Sequence, residues 1–244
     1  MPRALIKAPR AGAPKVAAKL ITKANRKPTR AKWPPDPARV RAILDGLEVL
    51  YPDVDCELDR ETPFQLLCAT ILSAQCTDDR VNKVTPALFR RFPDAARMAA
   101  ASLDELEEII RSTGFFRQKA KSLKGTAMLL TERDGDLPRT IAELTRMPGV
   151  ARKTANVVLG TAFGIAEGVV VDTHVQRLSL RLALTRKTDA KGIEQDLMRV
   201  LPADRWIRFS HQLIWHGRRV CFARKPNCGG CLLAPHCPSA GRES

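Results

Sequence analysis

The 244-residue sequence predicts an all-α fold, and three observations carry that prediction. Beyond Pro34 and Pro35 the apolar residues recur at helical spacing almost throughout, as on helices with one buried face. Two Ser/Thr-x-x-Glu boxes, Ser102 with Glu105 and Thr140 with Glu143, mark helix starts. The single β-like run, Val169, Val170 and Val171, is too short and solitary to build a sheet.

Taken in order, Val40, Ile43, Leu44, Leu47 and Leu50 stripe a first helix, and further helices are predicted over 64–76 and 81–92. Ser102 opens a helix with Leu106, Ile109 and Ile110 on its buried side. Thr140 opens a short helix that stops at Pro148 and Gly149. Runs over 157–163, 175–184, 193–201 and 206–220 complete the series, joined by short loops and without a repeat of solenoid length.

Composition narrows the function. A hydrophobic share of 44% with 27% charged residues is that of a globular protein. No apolar run approaches the ~18 residues that cross a bilayer, which excludes a membrane-spanning chain. Lys+Arg 41 against Asp+Glu 26 gives +15 and points to a polyanionic partner. Aromatics are only 5%, with one Tyr, which argues against a surface of stacking platforms for single strands. The charge is concentrated: residues 1–35 hold ten Lys or Arg and no acid, +10 of the +15. That stretch reads as a disordered basic arm that adds non-specific DNA affinity, against an organellar transit peptide or a plain linker. It has no Ser and no apolar segment with a cleavage site, so neither transit nor secretion is expected.

Cys221, Cys228, Cys231 and Cys237 stand in C-x6-C-x2-C-x5-C order within a short, helix-poor stretch. Four thiolates so close can hold one tetrahedral metal or the corners of a [4Fe–4S] cube. Two disulfides would need an oxidising compartment, which DNA-directed charge argues against. Zinc is the stronger rival, although only Cys228 and Cys231 form a close knuckle. Arg218, Arg219, Arg224 and Lys225 crowd around the first intervening loop, where they could meet phosphates, so the metal group is read as structural. Of the remaining thiols, Cys68 and Cys76 are placed on an apolar helix stripe and Cys56 is left over; all three read as buried small hydrophobes.

Residues 147–159 (MPGVARKTANVVL) read as helix, tight turn, helix, with Gly149 supplying the turn. The unpaired amides of the second helix make a cradle for one DNA phosphate. Lys153 sits in its first turn, an unfavourable place for a cation. It either contacts phosphate or, with its pKa lowered by the helix field and partial desolvation, serves as an amine nucleophile. Asp172 occupies an N-cap position ahead of Thr173 and His174. It is either a cap alone, or a rigid ionised carboxylate that stabilises developing positive charge.

Five segments in this order give the chain a family resemblance: residues 72–78 (LSAQCTD), 113–115 (TGF), the hairpin, 171–174 (VDTH) and the four-cysteine loop. Over roughly residues 36–240 it resembles the endonuclease III family, bifunctional DNA glycosylase/AP lyases of the helix-hairpin-helix superfamily. The resemblance implies two helical domains flanking a DNA-binding cleft. One would be a six-helix domain over 56–166 with the hairpin. The other would be an iron–sulfur domain from 36–55 and 167–244, holding a structural [4Fe–4S] cluster on the four cysteines. It implies a monomer in the cytoplasm, associated with a bacterial nucleoid. Its substrate would be double-stranded DNA carrying damaged pyrimidines or abasic sites.

The implied chemistry flips a damaged pyrimidine from the stack. Lys153 matches the nucleophile that displaces the base, and Asp172 matches the catalytic carboxylate. The Schiff base then acidifies the neighbouring proton, and β-elimination nicks the strand. Gln75 matches the residue that fills the vacated hole, offering donor and acceptor to the orphaned base. Phe115 falls where the family places an apolar wedge, often Leu, and would intercalate more bulkily. Gly149, Ala151 and Arg152 of the hairpin, with Arg224 and Lys225 of the cysteine loop, are further expected DNA contacts. Ala151 departs from the usual Gly and is compatible if its dihedrals are ordinary. Taken without the resemblance, Gln75 is a polar residue at a helix end and Phe115 a core aromatic after a Gly C-cap. His174 is expected to support the site, and His211 and His216 to pack. The rivals are a monofunctional glycosylase, which would lack Lys153, a silent damage-binding protein, which needs neither Lys153 nor Asp172, and an iron–sulfur electron carrier, which needs no hairpin.

Overall fold

The computed structural model describes residues 32–242. The basic arm of residues 1–35 therefore lies outside the described residues except for its last four. Among the described residues the regular structure is helical, and 169–171 run as an irregular connection instead of a strand.

Helix α1 (Pro37–Leu50) starts on Asp36, whose carboxylate accepts from the Ala38 amide at 2.9 Å, and buries Val40, Ile43, Leu44 and Leu47 as the sequence period requires. Helix α2 (Pro63–Leu72) is capped by Thr62 and buried over nearly its whole length. It stops four residues before the predicted end, because the chain turns at Ser73 and Gln75 takes a left-handed φ of 52°. Cys76 therefore lies half-buried beyond the helix and not on its stripe, whereas Cys68 is buried on α2.

Helices α3 (Asp78–Arg91), α4 (Ala95–Ala100), α5 (Leu103–Ile110) and α6 (Phe116–Thr131) follow. The Ser102 box is complete on both sides. The Thr140 box before α7 (Ile141–Leu144) is only half formed: Thr140 caps Glu143, but the Glu143 carboxylate takes the Thr140 hydroxyl. Helices α8 (Arg152–Phe163), α9 (Thr173–Arg181), α10 (Ala190–Val200) and α11 (Trp206–Arg219) complete the order.

The sequence period did not reveal α4 and α6. The buried stripe of α6 is Lys119, Ala120, Ser122, Leu123, Thr126, Ala127 and Leu130, all small or polar except the two leucines, so hydropathy hides a helical repeat that the backbone obeys.

Two separate clusters of buried side chains form the interior. One draws on residues between Leu58 and Leu159, with α2 at its centre. The other draws on α1 and on residues from Val169 to Leu233. The chain thus leaves one core after α1, builds the other, and returns through the 164–172 connection. Ion pairs join them at two places. The Arg152 guanidinium forks onto Glu194 at 3.1 Å through both Nε and Nη2, and Arg218 of α11 binds Glu57 and Asp78.

Candidate active-site cleft

The hairpin turns on Gly149, whose φ is 78°. A Cβ there would stand 2.7 Å from the Ser122 Cβ and 2.8 Å from its hydroxyl, so neither the backbone conformation nor the space admits a side chain. Thr126 fastens the same turn by donating to the Pro148 carbonyl at 3.0 Å. Ala151 is the N-cap of α8 with φ −84° and ψ 168°, extended backbone open to any residue, so its departure from Gly carries no strain. No side chain caps α8. Its first amides remain available to an anion, in a helix of twelve residues.

Lys153 projects from the first turn of α8 and is exposed. The burial expected from sequence for this side chain is thus not seen, although Lys153 does line the cleft. Asp172 is the N-cap of α9, its Oδ1 accepting from the Val175 amide at 2.8 Å. Lys153, Asp172 and His174 line one cleft, together with Asp78 at the start of α3 and Trp215 and Arg218 of α11. Its walls come from both buried cores.

Asp78 is the residue that sequence reasoning passed over, although it ends the 72–78 segment that carries the resemblance. Burial pushes its carboxyl above the ordinary range and the Asp172 charge adds to this, against the opposing pull of Lys153 and His174. Asp78 thus feels the two assigned catalytic groups at once, and it is held at 2.8 Å by Arg218. Trp215 was likewise missed; Arg219 stacks 3.8 Å over its ring.

His174 and His211 both line the cleft, and burial pulls both below the ordinary histidine value, against the Asp172 charge. A depressed folded-state pKa means that the unfolded chain takes up protons the fold refuses once pH drops below ~6.5. Stability is therefore full above that pH and declines as the solution is acidified. Urea midpoints measured at pH 7.5 and 5.5 should show this decline, and His211→Asn, which cannot protonate, should lessen it. His216 behaves as the packing residue expected: buried, its Nδ1 3.0 Å from the Tyr51 hydroxyl.

Gln75 and Phe115 stand on two turns, and both are exposed, Phe115 to 67%. Phe115 is thus no core aromatic, although Gly114 precedes it. Both adopt left-handed backbone, with φ of 52° and 47°. Arg224 and Lys225 are exposed as expected for phosphate contacts. Arg218 and Arg219 end α11, partly exposed, and both pair with Glu57. Arg152, expected on DNA, is engaged by Glu194.

Cys221, Cys228, Cys231 and Cys237 line one cavity whose remaining wall includes Leu178, Leu182, Val220 and Leu233. Burial pushes the Cys231 thiol up to about 11, with the other three cysteines adding to the rise, and Cys237 moves the same way. Four mutually repelling thiols around an apolar cavity fit a cationic group that takes them as thiolates. Among the described residues no three His, Cys, Asp or Glu converge tightly enough for a single metal ion. The four-thiol lining is a donor set that can hold a metal group as thiolates.

Comparison with known proteins agrees with this geometry. A family described as HhH-GPD superfamily base excision DNA repair protein matches residues 68–203. Endonuclease III of Synechocystis sp. is 59% identical over 203 residues, 83% of this chain and 93% of that protein. Endonuclease III of Bacillus subtilis is 41% identical over 201 residues, 82% of this chain and 91% of that protein. Among solved structures, a non-covalent endonuclease III–DNA complex superposes with a TM-score of 0.79 at 41% identity, covering 85% of this chain and 97% of its own. A trapped endonuclease III–DNA covalent intermediate gives the same TM-score and identity and covers 98% of its own chain.

Proposed function

The chain belongs to the endonuclease III family of base-excision-repair DNA glycosylases, and from that premise we propose that it is bifunctional, removing oxidised pyrimidines from duplex DNA and then nicking the abasic strand. Lys153 and Asp172 on one cleft are the observation that carries the reading. The uncapped amides of α8 bind one phosphate beside the lesion and bring the flipped nucleotide to Lys153. Its unprotonated amine forms a bond to the anomeric carbon as the glycosidic bond breaks, and the base departs with that electron pair and gains a proton. Asp172, held rigid by the Val175 amide, stabilises the positive charge that grows on the sugar and takes the proton the amine sheds. The C1′–O4′ bond then breaks as the nitrogen lone pair forms the iminium on Lys153, and O4′ takes the proton that Asp172 holds. Loss of the adjacent C2′ proton then expels the 3′ phosphate, and water releases the product aldehyde.

Gln75 and Phe115 enter the duplex from the two exposed turns, filling the vacated space and wedging the stack. Gly149 and Ala151 bring α8 to the backbone, while Arg224 and Lys225 add phosphate contacts. The Arg152–Glu194 pair ties α8 to α10 at the edge of the same surface. The partner is duplex DNA, and the protein acts as a monomer in the cytoplasm. Domain boundaries fall near 56 and 166, where the chain passes between the two buried cores.

The four cysteines hold a [4Fe–4S] cluster, which when bound supplies four covalent ties that fix the basic loop around Arg224 and Lys225. Purified protein should be brown and carry about four irons and four sulfides per chain. Stoichiometric zinc without visible absorption would refute this assignment. The activity is tested by borohydride reduction in the presence of a duplex with one oxidised pyrimidine. A covalent protein–DNA adduct is expected. Base release without adduct or strand nick would mean a monofunctional glycosylase instead.

A further inference from the structure

Lys119, on the first turns of α6, is 5% exposed, an uncommon situation for a lysine. Its ammonium donates at 2.8 Å to the Leu72 carbonyl and at 2.8 Å to the Thr113 carbonyl. Among the described residues no carboxylate pairs with it, and burial draws it below the ordinary lysine range. Each acceptor ends a helical segment: Leu72 is the last residue of α2, and Thr113 closes a single 3-10 turn over Arg111–Thr113. Such carbonyls lack intrahelical partners and carry the negative end of the helix, so a cation is favoured there.

Three residues beyond Leu72 stands Gln75, and two beyond Thr113 stands Phe115. Both are exposed and both hold left-handed backbone that non-glycine residues adopt only when their surroundings over-determine it. One buried ammonium thus fixes the roots of both turns, with the two carbonyls within about 6 Å of each other.

We propose that Lys119 is a positioning residue that locks the Gln75 and Phe115 turns into one rigid unit, so that hole-filling and wedging occur together when the duplex is entered. This rests on the roles given above to Gln75 and Phe115. A neutral side chain of similar length would leave two buried carbonyls unpaired and let each turn relax by itself. The loss would fall on duplex invasion, where misplacement of a positioning group by ~1 Å costs on the order of 100-fold.

The test measures single-turnover base excision on a duplex with one oxidised pyrimidine opposite a normal purine, for Lys119→Met, Phe115→Ala and the double variant. Each single change should slow excision by about 10–100-fold. The double variant should be no more than about twofold slower than Phe115→Ala, because the two changes remove one shared function. Nicking of a single-stranded abasic oligonucleotide, which has no partner base to displace, should stay within about twofold of wild type in Lys119→Met. Rates that multiply in the double variant, an unaffected Lys119→Met, or an equal loss on the single strand would each overturn the inference. Phe115→Ala at full rate would remove the wedge and the inference with it, whereas a wild-type protein that forms no borohydride adduct would sink only the lyase reading. Should Lys119→Met fail to fold, Lys119→Gln, which keeps a donor for one carbonyl, is read against the same criteria.

Discussion

Lys153→Ala is expected to form no borohydride adduct and to lose base release by at least about four orders of magnitude, while it folds and binds damaged duplex. The size of the loss follows from the role. Without an amine, the anomeric carbon must await water, and the later elimination has no iminium to acidify the C2′ proton, so a covalent route is removed and not merely slowed. Removal of a nucleophile that acts together with its partner groups commonly costs about 10⁴–10⁶ in turnover. Retention of the fold follows from position. A cation in the first turn of a helix opposes the macrodipole by about 0.3–1 kcal/mol, and Lys153 is exposed with its amine at the cleft rim. Truncating it therefore leaves no buried hole, and the melting temperature should hold or rise slightly. An inactive variant that has also unfolded would say nothing about chemistry, so the unfolding curve belongs beside the trapping gel. An adduct of undiminished yield in Lys153→Ala would place the nucleophile on another residue.

Much of this site was legible in the sequence because its parts are local. A Gly before a helix start fixes the hairpin, an Asp ahead of Thr173 is an N-cap by residue type, and four cysteines within seventeen positions announce a metal group. The structure places all of these where local rules put them: Gly149 at φ 78°, Asp172 on the Val175 amide, and the four thiols around one cavity. What stayed hidden is non-local or runs against hydropathy. Helix α6 escaped notice because its inward face carries Lys119, Ser122 and Thr126, and two of these find their partners only in the folded chain. Lys119 reaches carbonyls 47 and 6 residues away, and Thr126 reaches one 22 residues away. Arg218 and Arg219 looked like phosphate ligands for a related reason. A sequence displays their charge but not Glu57 and Asp78, far earlier in the chain, with which they pair. The excess of basic residues over acidic ones remains a fair guide to a polyanionic partner, yet it does not say which cations are free to meet it.

Asp172→Asn separates the two explanations that sequence alone left level, a helix cap and a catalytic charge. Asn and Asp cap helices about equally well, so the bond from the Val175 amide survives and α9 should keep its start. The negative charge at the positive end of the helix is lost, a cost of about 0.3–1 kcal/mol, and the melting temperature should fall by only a few degrees. Binding of undamaged duplex should hold or strengthen, since a carboxylate beside phosphates is removed. Turnover behaves differently: a charge aimed at the developing oxocarbenium is worth roughly 10²–10³ in rate. Base excision is therefore expected to slow by about that factor, while Lys153 still forms an adduct given time. The neighbouring Asp78 supplies an internal readout, because the Asp172 charge is one of the influences that raises its carboxyl. In the variant that carboxyl should titrate closer to an ordinary aspartate, which carbon-detected titration of the labelled side chains would register. Asp172→Ala completes the comparison. It deletes cap and charge together, and should match the catalytic loss of Asn while adding about 1 kcal/mol of destabilisation. If Asn were as active as wild type and only Ala were impaired, the aspartate would be a cap and the growing charge on the sugar would need another partner, for which Asp78 is already in the cleft.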